Sequence, residues 1–170
     1  TSRAGERYER VAAEIDRAMR FMSACGVTSH SLHQVDIFSS HEALLLDYER
    51  AMLRLDTSHD EARLYDLSGH FLWVGERTRQ LDGAHLEFLR GIGNPVGAKL
   101  GPAATPEDVL ALCDVLDPGR VPGRLTLVAR MGASRVSERL APLVRAVRDA
   151  GHPVVWACDP MHGNTFVGPS

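Results

Sequence analysis

Apolar positions recur every three to four residues along 5–25 (GERYERVAAEIDRAMRFMSAC). Tyr8, Val11, Ile15, Ala18, Met19 and Met22 fall on one stripe there and predict an amphipathic helix. The pattern then shortens. Val35-Asp36-Ile37-Phe38 is a brief apolar run stopped by Ser39, and Ser39 with Glu42 three positions on reads as a capping box opening a helix over SHEALLLDYERAMLRL. Leu64 to Leu67 and His70 to Gly75 are further short apolar runs, and a helix is expected from near Gly83 to Ile92. Pro95 to Lys99 reads as a short strand, and Thr105-Pro106-Glu107-Asp108 as a second capping signal that opens a helix to about Leu116. Leu125 to Ala129 is a continuous β-rich run. Val136, Leu140, Leu143, Val144 and Val147 mark a helix ending at Gly151, with a kink or a late start expected at Pro142. Pro153 to Cys158 is the last apolar strand.

Short apolar strands alternating with helices predict parallel βαβ units, either an open doubly wound sheet or part of a (β/α)8 barrel. Neither the G-x-G-x-x-G fingerprint nor a G-x-x-x-x-G-K-[ST] loop is present, so neither a Rossmann nor a P-loop reading is supported. No linker or low-complexity tract marks a second domain, and the 170 residues suffice for one ordinary core.

Composition narrows the function classes. A chain 44% hydrophobic and 24% charged is globular, and a formal net charge of -3 gives no electrostatic case for nucleic acid or an anionic membrane. No apolar run approaches the roughly 20 residues of a membrane span, and the amino terminus does not look like a signal peptide. Cys25, Cys113 and Cys158 are odd in number and lie in apolar or helical stretches, which suits buried thiols in a reducing, cytoplasmic setting. Of the 19 basic residues only Lys99 is a lysine, so a compact ammonium is kept where arginine otherwise prevails.

In either parallel architecture, chemistry gathers at the carboxyl ends of the strands. Glu76 and Arg77, then Lys99, then Arg130, then Asp159, Met161 and His162 follow four successive predicted strands. Arginine forks and one ammonium together suit phosphate or carboxylate oxygens. His162 beside Gly163 is a candidate metal ligand. Each group alone is more simply a solvated surface charge; matched chemistry on four strand ends favours a barrel enzyme acting on a phosphorylated, anionic substrate.

The blocks SHEALLLDYERAMLR from Ser40, WVGERTRQLDGAHLEF from Trp73, NPVGAKLGP from Asn94, PGRLTLVARMG from Pro122 and CDPMHGNT from Cys158 resemble those of class II 3-deoxy-D-arabino-heptulosonate 7-phosphate (DAHP) synthases. The resemblance runs from about Arg3 to Thr165. It implies an α/β fold that is a partial (β/α)8 TIM-type barrel, with about five parallel strands, residues 1–170 forming one catalytic-barrel segment that lacks the family's amino- and carboxyl-terminal parts. The implied reaction condenses phosphoenolpyruvate with erythrose 4-phosphate to DAHP and phosphate, the first step of the shikimate pathway. Glu76, Arg77, Lys99 and Arg130 then match the phosphoenolpyruvate pocket, and His162 matches one of four ligands to a divalent ion, Mn2+ or Co2+; Lys99 and His162 are the expected catalytic residues. The family's metal-binding cysteine and a further phosphate-binding arginine would precede Thr1, and its glutamate and aspartate ligands would follow Ser170. The isolated 170 residues are therefore expected to be inactive. Homo-oligomerisation at full length and a chorismate mutase partner are also implied. Alternatives are an amino-DAHP synthase of secondary metabolism, or a shortened non-catalytic homologue acting as a regulatory or assembly partner. An unrelated barrel aldolase would share the anion rim but gives no account of CDPMHGNT.

Overall fold

The computed structural model of the chain describes residues 3–27, 37–58 and 61–164. Two compact units emerge, Thr1–Ile37 and Phe38–Ser170. The first holds α1 (Arg3–Ala24), the helix expected from the apolar stripe. It ends where Gly26 takes φ +86° and the Val27 N–H returns to the Met22 carbonyl, a glycine-driven stop.

The second unit runs β1 (Ser40–Glu42), α2 (Leu46–Met52), β2 (Leu53–Asp56), β3 (Arg63–Asp66), β4 (Phe71–Val74), α3 (Ala84–Gly91), β5 (Val96–Leu100), α4 (Pro106–Leu116), β6 (Leu125–Ala129), α5 (Ala133–Asp149) and β7 (Val155–Cys158). Five strands form one sheet in the order β1-β4-β5-β6-β7, and every pairing is parallel. Alternation of this sheet with α3, α4 and α5 is that of a partial TIM-type barrel. β2 and β3 form a separate antiparallel hairpin, so the Leu64–Leu67 run belongs outside the parallel sheet. Among the described residues no helix is long and apolar enough to cross a membrane.

Strand alternation gives the sheet two unlike faces. Leu72, Val74, Val96, Ala98, Leu125 and Leu127 are fully buried on one of them, in a single cluster with α3, α4 and α5. Each leucine there contributes about 1.5–3 kcal/mol relative to exposure. Phe71, Trp73 and Lys99 occupy the other face and are only partly buried. Gly97 leaves room for these rings: a Cβ would lie 2.6 Å from Phe71 Cζ and 3.1 Å from Trp73 Cβ, so both would have to shift.

Local signals hold at one end of each of two helices. Thr105 Oγ1 accepts from the Asp108 N–H and Asp108 Oδ2 accepts from the Thr105 N–H, with Pro106 at the first helical position of α4. α5 stops in a Schellman motif: Gly151 has φ +75°, its N–H bonds the Arg148 carbonyl, and the His152 N–H bonds the Val147 carbonyl.

Four expectations are corrected. The helix expected to open at Ser39 starts only at Leu46, because Ser40–Glu42 pairs in register with Phe71–Trp73 and becomes β1. Ser39 is occupied by His70 Nδ1 instead of capping a helix. Of the Val35–Phe38 run, positions 35 and 36 lie outside the described residues, while Ile37 and Phe38 are exposed and outside any strand. The late start is not seen: α5 begins at Ala133 and continues through Pro142, which is on its exposed face, where water can serve the carbonyl that the missing N–H would have bonded. Cys113 alone is a buried thiol; Cys25 and Cys158 are exposed, the latter on edge strand β7.

Candidate active site

The carboxyl ends of the parallel strands surround a cavity of about 290 Å³ lined by Glu42, Gly75, Glu76, Arg77, Lys99, Arg130 and His162. All five site residues expected from the sequence are therefore gathered at one place: Glu76 and Arg77 follow β4, Lys99 is on β5, Arg130 follows β6, and His162 is in the turn after β7.

Their environments differ. Glu76 is committed to structure: its carboxylate accepts two parallel hydrogen bonds from Arg79 (3.0 Å each) and one from the Gly101 N–H (2.5 Å). It thereby ties the turn after β4 to the end of β5 and presents little free acceptor capacity to a ligand. The guanidinium groups of Arg77 and Arg130, in contrast, have no hydrogen-bond or ion-pair partner among the described residues. Two uncommitted forks lining one cavity have the charge and geometry that suit anionic oxygens. Lys99 Nζ is 3.1 Å from Asp159 Oδ2 and 5.5 Å from the Trp73 ring centroid. The Asp159 carboxylate and the Trp73 ring thus hold the Lys99 head group from two sides.

Asp159 is the hub of the β7 turn. Its Oδ1 accepts from the N–H groups of Met161 and His162, and its Oδ2 lies 2.6 Å from His162 Nδ1 as well as 3.1 Å from Lys99. Burial pushes the Asp159 carboxyl up. Hydrogen bonds from the His162 N–H, Lys99, the His162 ring and the Met161 N–H outweigh that, and hold it well below the usual carboxylate range. Being ionised, Asp159 is only an acceptor, so the proton in the short contact resides on His162 Nδ1. In the neutral ring Nε2 then carries the lone pair, and it has no partner among the described residues.

The β7 turn is clamped to its neighbour. A Cβ on Gly163 would come within 2.7 Å of the Gly132 nitrogen, and both glycines have positive φ (+84° and +73°), so the two loops approach as only glycine permits. Gly132 gives α5 no side-chain cap; Asn164 Oδ1 supplies it from the other loop by accepting from the Ala133 N–H at 2.8 Å, while Asn164 Nδ2 donates to the Pro160 carbonyl.

The residue type and its orientation fit one ligand of a divalent ion. A histidine with a free Nε2, braced at Nδ1 by a carboxylate, is the usual form of a metal-bound imidazole. Among the described residues no group of three or more His, Cys, Asp or Glu side chains is placed to hold an ion, so His162 would contribute to a coordination shell completed from elsewhere. Glu42 is the lining residue that sequence reading overlooked, having been absorbed into the capping box; it stands at the end of β1 as Glu76 stands after β4. Reading Ser40–Glu42 as a strand end would have found it.

The model of the class-II DAHP synthetase family matches residues 1–170. This chain belongs to the class-II DAHP synthetase family. It is 58% identical over 168 residues to a phospho-2-dehydro-3-deoxyheptonate aldolase, AroG, of Mycolicibacterium smegmatis, a match covering 97% of this chain and 36% of that protein. A phospho-2-dehydro-3-deoxyheptonate aldolase of Streptomyces coelicolor is 53% identical over 166 residues, covering 98% of this chain and 36% of the relative. A probable chloroplastic phospho-2-dehydro-3-deoxyheptonate aldolase of Catharanthus roseus is 49% identical over 170 residues, covering 99% and 34%. The chain spans about a third of the length of the curated relatives it matches. In this chain the carboxyl ends of β4 and β7 carry GERTRQ and CDPMHGN.

Proposed function

We propose that this chain supplies the phosphoenolpyruvate pocket and one metal ligand of a DAHP synthase, which joins phosphoenolpyruvate to erythrose 4-phosphate and releases phosphate. The observation that carries this reading is the pair of uncommitted guanidinium groups, Arg77 and Arg130, sharing a cavity with Lys99 and His162. Family membership supplies the reaction; the cavity supplies a reason for it to occur here.

In this reading Arg77, Arg130 and Lys99 hold the phosphate and carboxylate oxygens of phosphoenolpyruvate, and so fix the enol in one orientation. Its C3 then faces the aldehyde carbon of erythrose 4-phosphate. A C–C bond forms between them, water adds at C2, and the C2–O bond to phosphate breaks to leave the ketone of DAHP. Lys99, held in place by Asp159, acts as a fixed charge. Glu76 acts indirectly, by holding Arg79 and the Gly101 N–H. His162 would hold Mn2+ or Co2+, and such an ion, when bound, polarises the aldehyde carbonyl. Three free thiols suit a reducing compartment such as the cytoplasm.

The test is a coupled assay for phosphate release with the protein at its full encoded length, with and without a chelator and with His162→Ala. Both treatments are expected to abolish turnover, and activity surviving both would overturn the reading. The 170 residues alone are expected to form no product.

A further inference from the structure

One carboxylate oxygen joins the two halves of the candidate site. Oδ2 of Asp159 lies 2.6 Å from His162 Nδ1 and 3.1 Å from Lys99 Nζ, across 60 residues of sequence in the second case. The side chain is mostly buried, with 13% of its surface exposed, so water competes weakly for these contacts. Its other oxygen is held by two backbone N–H groups of its own turn, those of Met161 and His162, and this fixes the carboxylate plane. An oriented carboxylate of this kind can accept from the imidazole at one position only.

We propose that Asp159 is a positioning residue: it locks His162 in the Nδ1–H tautomer, leaving Nε2 as the sole ligand atom, and tethers the Lys99 ammonium beside it. This rests on the reading of His162 as a metal ligand. Asp159 itself is not among the residues that line the cavity. Its effect on the anion pocket and its effect on the metal ligand come from the same oxygen atom, so both are lost together when that atom is changed.

Asp159→Asn separates this role from a purely structural one, because the amide keeps the shape of the side chain. An amide has one carbonyl oxygen. If that oxygen faces Met161 and His162 N–H, an NH2 group confronts Lys99 and the imidazole; if it is turned round, the backbone N–H groups lose their acceptor. The comparison uses wild type, Asp159→Asn and His162→Ala at full encoded length, labelled with 15N-histidine. Ring nitrogen shifts of the metal-free protein report the tautomer, the His162 signal being the one lost in His162→Ala. Titration with Mn2+ alone reports affinity.

Wild type is expected to show neutral His162 as the Nδ1–H form. Asp159→Asn is expected to lose that preference and to bind Mn2+ about 10- to 100-fold more weakly, the usual consequence of removing such a carboxylate. A metal-free wild type with the proton on Nε2 would overturn the proposal outright, with no variant needed. Unchanged Mn2+ affinity in Asp159→Asn, alongside its loss in His162→Ala, would overturn the proposal and leave the metal-ligand reading standing. Unchanged affinity in His162→Ala would instead remove the reading on which it rests.

Discussion

The two ends of the parallel sheet carry similar polar residues to opposite purposes. At the amino end, Asn94 is buried, and its side chain makes three hydrogen bonds: it accepts from the Asp66 N–H and donates to the carbonyls of Asp66 and Gly69. Arg124, also at that end, donates to the backbone carbonyls of Asn94 and Leu89, and burial lowers its pKa. At the carboxyl end, the side chains of Arg77 and Arg130 have no such partners among the described residues. An arginine fully engaged with its own backbone can only support the fold. One that lines a cavity with its donors unused has charge and geometry left for a ligand. The division follows the barrel pattern in which one end provides stability and the other chemistry.

The sharpest way to break the comparison is to remove one polar side chain from each end. At the carboxyl end, Arg130→Ala or Arg77→Ala is expected to lower kcat/KM for phosphoenolpyruvate by about 10²- to 10³-fold in the full-length protein, the usual loss for one preorganised donor. Stability should change by no more than about 0.5 kcal/mol, as for an unpartnered group. At the amino end the pattern should invert. Asn94→Ala strands buried backbone groups of Asp66 and Gly69 and is expected to destabilise by about 1–3 kcal/mol, read by denaturant melts, with kcat/KM retained at temperatures where the variant is folded. If Asn94→Ala abolished activity in a folded protein, the separation of the two ends would fail.

Much of this was legible from the sequence because its signals were local. The capping box at Thr105, the glycine stop at Gly151 and the β-rich run at Leu125 each depend on neighbours within a few residues. The anion rim was legible for a different reason: once the strands are known, whatever follows each of them lies on one edge. What escaped depends on partners far along the chain. Ser40–Glu42 has a good helix-opening sequence, and only pairing with Phe71–Trp73 makes it a strand. Glu76 lines the cavity, but its hydrogen bonds were not foreseen: two go to Arg79, three residues on, and the third comes from the Gly101 N–H. The first of those was in principle visible as an i, i+3 pair, but the backbone contact 25 residues away was not. Asp159 was seen at the rim without a role, since Lys99 is 60 residues before it.

A smaller effect sharpens the contrast between locally and distantly determined elements. Thr105→Ala removes a cap whose hydrogen bonds close within four residues, and α4 packs beside α5 away from the cavity. The expected loss is about 1 kcal/mol of stability, with no change in phosphoenolpyruvate KM. A change in KM would mean that α4 communicates with the rim.

The cysteines give the smallest effect at neutral pH and a clear dependence above it. Burial, reinforced by Asp114 and Asp117, pushes the Cys113 thiol from its ordinary 9.0 up to about 12. The nucleophile in alkylation is the thiolate, so native Cys113 should resist iodoacetamide at pH values where exposed Cys25 and Cys158 react. Mass spectrometry of the modified sites, before and after denaturation, measures this; labelling of Cys113 in folded protein at the rate of Cys25 would refute its burial. The same shift sets a sign for stability. Below about pH 9 both folded and unfolded chains hold the proton and the thiol contributes no pH dependence. Between about 9 and 12 the unfolded chain releases it while the folded one retains it, so the unfolded state is favoured as pH rises. Cys113→Ala should flatten that alkaline slope, whereas Cys158→Ala, on the exposed edge strand, should leave it in place. The contrast places the alkaline sensitivity in the helix layer behind the sheet, away from the charged rim.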